Sequence, residues 1–167
     1  MRGRNFATFR LTNLALLTTV ALIIFVVEAN IPPLTSIPGI KMGLANIVTL
    51  SVFYLYSRKD ALMVLLVRVI LGAFASGQIM TLPYSLSGGL LCFCVCALLF
   101  PLFPLKWLWL LSVIGAVFHN IGQIIIAIVL TGTPEIIWYL PILLISGAIS
   151  GLFTGHAAQS LLFHIQN

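Results

Sequence analysis

Six apolar stretches joined by short polar turns occupy almost the whole sequence, at about residues 11–29, 44–56, 61–80, 83–103, 107–130 and 140–163. A stretch of roughly 20 apolar residues matches the ~30 Å hydrocarbon core of a bilayer, and in lipid only helices or closed barrels satisfy their own backbone polar groups. Charged residues make up only 7% of the chain and its mean hydropathy is +1.19, whereas an ordinary soluble domain is roughly 25% charged. The sequence therefore predicts an all-α, polytopic membrane protein: six transmembrane helices in one domain spanning residues 1–167. It excludes a soluble globular fold.

Charge placement sets the expected orientation. With six spans and a cytoplasmic N-terminus, Arg2, Arg4, Arg10, Arg58, Lys59 and Lys106 lie on the cytoplasmic side, and only Lys41 lies outside. Excess Lys and Arg mark the inner side of a membrane protein, so both termini are expected in the cytoplasm and the plasma membrane is the expected location. The formal charge of +5 is scattered over inter-helical turns without a basic run, which speaks for topology and against nucleic-acid binding. An N-terminal Arg cluster followed by the apolar run Leu14 to Val27 resembles a secretory signal, but no small-x-small cleavage pattern follows it. It is read as a retained first span.

The connection from Pro32 to Asn46, PPLTSIPGIKMGLAN, contains three prolines and two glycines. It cannot simply prolong either neighbouring helix. The next apolar stretch, residues 44–56, covers only ~20 Å of the ~30 Å core, so this loop is expected to dip into the bundle as the lid of an outward-facing site.

Several polar side chains are expected to meet beneath it. Arg68 lies about 12 Å into the hydrocarbon from the Arg58–Asp60 turn; a buried arginine is costly and faces a cavity, a partner or the bundle interior. His119, Asn120 and Gln123 fall within one helical turn. That grouping fits either a ligand-contacting cluster or interhelical hydrogen-bond glue. Lys41 and Asn46 from the loop, Gln78 at the end of the third span, and Tyr84 with Ser85 and Ser87 at the start of the fourth complete the candidate substrate-binding set. Glu28 is placed to pair with Lys41. Lys41 and Arg68 bias such a pocket toward a polar or anionic ligand.

Gly147, Gly151 and Gly155, flanked by Ser146, Ser150 and Thr154, form a double GxxxG ridge suited to close helix packing. Cys92, Cys94 and Cys96 lie together in one apolar segment and read as small buried hydrophobes; no metal site and no cofactor are expected. The sequence has no G-x-x-x-x-G-K-[ST] phosphate loop. Asp60 is its sole aspartate, so neither an aspartate-rich Mg²⁺-diphosphate motif nor a membrane-embedded Ser-His-Asp set can be assembled. The expectation is a protein that is not an enzyme.

PGIKMGLANIVTL (38–50), YSLSGG (84–89), GAVFHNIGQ (115–123) and YLPILLISGAISGLFTG (139–155) together resemble the Gx transporter family, also labelled heptaprenyl diphosphate synthase component I. That family is similar to the substrate-binding S components of energy-coupling factor (ECF) transporters. The resemblance implies a six-helix S-component-like bundle that binds a small, anionic or isoprenoid- or quinone-related molecule. It also implies as partners a transmembrane coupling subunit and cytoplasmic ATPases. The synthase label implies the alternative, a noncatalytic membrane component associated with a heptaprenyl diphosphate synthase.

Overall fold

The computed structural model describes residues 2–30 and 44–166, and among them all regular structure is helical. Six α-helices follow in order: α1 Arg2–Asn30, α2 Asn46–Leu55, α3 Arg58–Ala75, α4 Leu82–Leu99, α5 Leu108–Thr131 and α6 Leu140–Gln166. Short 3₁₀ turns at Ile79–Thr81, Phe100–Leu102, Leu105–Trp107 and Pro134–Tyr139 join the last four. Four stretches are long and apolar enough to cross a membrane: Thr8–Glu28, Ile79–Leu102, Leu105–Thr131 and Pro134–His164. The ten residues of α2 are too few, and α3 carries Arg58, Lys59, Asp60 and Arg68.

Local chemistry sets several helix ends. Ser57, in extended conformation, caps α3 by accepting the Asp60 N–H at 3.3 Å, and the Asp60 carboxylate sits in the first turn, where the helix dipole favours negative charge. Arg10 of α1 reaches across to pair with Asp60, while the Ser57 hydroxyl donates to the same carboxylate oxygen at 2.6 Å. At its far end α5 stops at Gly132, whose φ of 66° is left-handed and whose N–H closes onto the Ile128 carbonyl.

The helices close into a ring. α1 packs on α3, α3 on α4, α4 on α5, α5 on α6, α6 on α2, and α2 back on α1 and α3. Six consecutive residues of α2, Val48 to Phe53, are buried. The helix serves two apolar clusters at once: Val48, Val52 and Phe53 pack with Ala21, Ala61 and Val64, while Leu50 packs with Leu108, Leu111, Ala158 and Leu162. The outside of the ring is apolar: Val20, Ile23 and Val27 on α1, Met63 and Phe74 on α3, and Ile145, Ile149 and Phe153 on α6 are exposed. A surface of this kind suits lipid.

The glycine ridge lies inside the protein, between α6 and α5. A Cβ at Gly151 would stand 2.8 Å from Val113 Cα, and one at Gly155 2.6 Å from Trp109 Cα. Gly147 abuts the Asn120 amide. On the other side of α5, Gly122 rides over Gly88 of α4, where a Cβ would meet Gly88 Cα at 2.9 Å. Such seams let backbones touch where no hydrophobic effect drives helices together.

Two predictions follow from this packing. Gly151→Val forces α5 and α6 apart and is expected to cost about 1–3 kcal/mol, in line with overpacked cores, lowering the thermal midpoint of the detergent-solubilised protein; Ile149→Val on the exposed face should leave it unchanged. An unaltered midpoint for Gly151→Val would show that the seam is loose. The second concerns Asp60. Partial desolvation pushes its carboxyl up, but hydrogen bonds from Ser57 and Arg10 and the Arg10 charge outweigh this and hold it below the ordinary carboxylate range. The α1–α3 tie therefore stabilises the fold above the unfolded value and is lost as pH falls through the lower folded value. Asp60→Asn should flatten the acid limb of a stability-against-pH profile, and an unchanged limb would remove the tie from the account.

Candidate functional site

Inside the ring lies a crevice of about 450 Å³, counting its open mouth. Five helices line it: Asn46, Thr49, Leu50 and Phe53 from α2, Leu65 from α3, Cys92, Phe93 and Cys96 from α4, Ser112, Gly115 and Ala116 from α5, and Ser150 and Thr154 from α6. Its wall is mostly apolar, with hydroxyls concentrated on the α5–α6 side. Ser112 Oγ and Thr154 Oγ1 are 3.1 Å apart and buried. Opposite them the Thr49 hydroxyl is buried with no hydrogen-bond partner among the described residues. A buried polar atom of this kind is costly unless water or a ligand meets it.

Of the expected site residues only Asn46 lines the crevice, and behind it stands Arg68, which does not itself face the space. Its position on α3 points it inward, where it is 4% exposed, and its Nη2 donates to Asn46 Oδ1 at 3.1 Å. Asn46 is the first residue of α2 and also lines the crevice, so it couples the arginine to that space. Arg68 Nε is buried without a partner among the described residues. The guanidinium lies within electrostatic reach of buried Glu28 on α1, Cys92 on α4 and His119 on α5. Five successive helices thus contribute to the surroundings of one charge. This is the compensation a cation needs in a low-dielectric bundle.

The turn carrying His119, Asn120 and Gln123 is divided by the geometry of the helix, which rotates each side chain about 100° from the last. His119 and Gln123 lie against the backbone of Gly88 of α4. His119 Nδ1 is buried and unpartnered among the described residues. Asn120 turns the other way. It donates to the Leu143 carbonyl of α6 at 2.5 Å, so it joins helices and does not share a surface with His119.

The remaining expected residues lie elsewhere. Gln78 precedes the 3₁₀ turn between α3 and α4, and its carbonyl accepts from Thr81 N and Oγ1 at 3.0 and 2.8 Å. Tyr84, half-buried in the first turn of α4, does not line the crevice. Ser87 bonds the Gly122 carbonyl at 2.9 Å, and Ser85 is buried. Lys41, the Pro32–Gly43 part of the loop and the expected Glu28–Lys41 pair lie outside the described residues.

Sequence reasoning did not single out Thr49, Ser112, Cys92 or Cys96 as lining groups. Ser150 and Thr154 were visible beside the glycine ridge, and the signal was their register: each follows its glycine by three residues, which turns the hydroxyl off the seam and toward the interior. Among the described residues no three His, Cys, Asp or Glu side chains are grouped to hold a metal ion.

The family model for heptaprenyl diphosphate synthase component I matches residues 17–161. No curated protein and no solved structure matches the chain significantly. The matched region starts within α1, runs through every later helix, and contains Asn46, Arg68 and the entire crevice lining. The chain is thus a member of the heptaprenyl diphosphate synthase component I family.

Proposed function

We propose that this protein is a noncatalytic membrane component that works beside a heptaprenyl diphosphate synthase and holds a small polar or anionic molecule in its crevice, at the wall where Asn46 is backed by Arg68. Family membership carries the association. The buried Arg68, bonded to Asn46 at the crevice wall and with Nε unpaired among the described residues, supports the binding role. A guanidinium presents a rigid fork of donors suited to carboxylate or phosphate oxygens, and Asn46 leaves part of that fork free. His119 lies within electrostatic reach of the same charge, and its Nδ1, unpartnered among the described residues, can accept or donate a hydrogen bond depending on tautomer.

A second reading is a substrate-binding subunit of an ECF-type transporter in the plasma membrane. One observation favours it: five helices enclose a crevice whose wall includes the first residue of α2, next to the segment that links α1 to α2. A pull-down from native membranes separates the readings. Recovery of a soluble prenyltransferase supports the first, and recovery of a membrane coupling subunit with ATPases supports the second and overturns it.

The binding role has its own test. Arg68→Ala leaves Glu28 buried beside no cation and is expected to cost about 3–5 kcal/mol of stability, so loss of binding in that variant is uninformative. Arg68→Lys keeps the charge and removes the fork. It is expected to remain folded while losing at least tenfold in affinity for whichever small molecule co-purifies with the native protein, identified by mass spectrometry. Full retention of that molecule by folded Arg68→Lys would dismiss the site.

A further inference from the structure

The crevice holds a second feature that the anion-binding reading does not use. Cys92 and Cys96 stand one turn apart on α4 and both line the crevice, where the Cys96 thiol donates to the Leu111 carbonyl of α5 at 3.9 Å. Both sulfurs converge on a single glycine of the facing helix: a Cβ at Gly115 would lie 2.8 Å from Cys96 Sγ and 3.0 Å from Cys92 Sγ. The thiols can come this close to the α5 backbone because Gly115 carries no side chain. The third cysteine of the segment, Cys94, points the opposite way and is exposed on the outer surface.

We propose that Cys92 and Cys96 form a two-sulfur site for a soft monovalent d¹⁰ cation, with Cu(I) or Ag(I) as its chemical class. Thiolates select such ions over the harder cations that prefer oxygen. The geometry is compatible with two-coordinate binding. Residues four apart on a helix carry Cβ atoms about 5–6 Å apart, and two metal–sulfur bonds of about 2.3 Å placed end to end span roughly 4.6 Å. Binding replaces two thiol protons with one monovalent cation, so the complex carries one net negative charge and two protons leave to solvent. The Arg68 guanidinium lies within electrostatic reach of Cys92, which places a cation beside that charge.

The test is an anaerobic titration of the whole reduced protein in detergent with Cu(I) against a chromophoric Cu(I) chelator. The expected result is one Cu(I) per chain, a loss of at least tenfold in affinity in Cys92→Ser and in Cys96→Ser, and no change in Cys94→Ser. X-ray absorption at the copper edge of the loaded wild-type chain keeps the proposal decidable even if a serine variant fails to fold. Two sulfur neighbours support it. Nitrogen or oxygen neighbours, copper lost entirely to the chelator, or a dependence on Cys94 equal to that on Cys92 would overturn it. None of these outcomes bears on whether a prenyltransferase co-purifies, so this site and the proposed function stand or fall separately.

Discussion

The close approach of α5 to its two neighbours is the constraint on which the rest of the structure depends. In lipid, apolar side chains gain little by leaving one hydrocarbon environment for another, so helices associate through van der Waals contact and hydrogen bonds. Here Gly151 and Gly155 let α6 touch the α5 backbone, and Gly122 lets it touch α4 at Gly88. With α5 held on both sides, Ser112, Gly115 and Ala116 are fixed as one wall of the crevice. Replace the seam with larger residues and that wall moves before any lining group is altered.

The same economy explains α2. A helix of ten residues cannot span a bilayer, yet it is the most enclosed element of the ring, with one face on the α1–α3 cluster and another on the α5–α6 cluster. Its position lets a polar residue at its start, Asn46, reach the interior without crossing lipid. Arg68 depends on this arrangement. The Asn46 acceptor and the negative charge of Glu28 are what compensate a guanidinium that is 4% exposed.

Much of the fold was legible because periodicity and length are properties of short windows. The apolar stretches, the shortness of the second one and the tight turn at Arg58–Asp60 are all local, and the glycine ridge announced close packing by its spacing alone. Arg68 stood out because an arginine inside an apolar stretch demands an explanation. What the sequence hid depends on rotation about helix axes and on which helices are neighbours. His119 and Asn120 are adjacent in sequence and face different helices, because one step along a helix turns a side chain by about 100°. The proximity of Glu28 to Arg68 was equally hidden, because it depends on the packing of α1 against α3, while the expected Glu28–Lys41 pair lies outside the described residues. The crevice hydroxyls escaped notice because Ser and Thr in apolar helices usually bond their own preceding turn, as Ser150 does with Gly147.

The charge balance around Arg68 narrows what can bind there. Among the described residues it pairs one cation, Arg68, with one carboxylate, Glu28, both buried. A diphosphate is multiply charged, and desolvating it against a nearly neutral site would cost more than a single shared guanidinium returns. A prenyl diphosphate would therefore need further cations. The segment between Arg10 and Arg58 offers one further cation, Lys41. A monoanion or a neutral polar molecule faces no such deficit, because Arg68 can meet a single negative charge while the Thr49, Ser112 and Thr154 hydroxyls meet uncharged polar atoms. On charge alone, the surroundings of Arg68 among the described residues suit a small, weakly charged molecule better than a diphosphate.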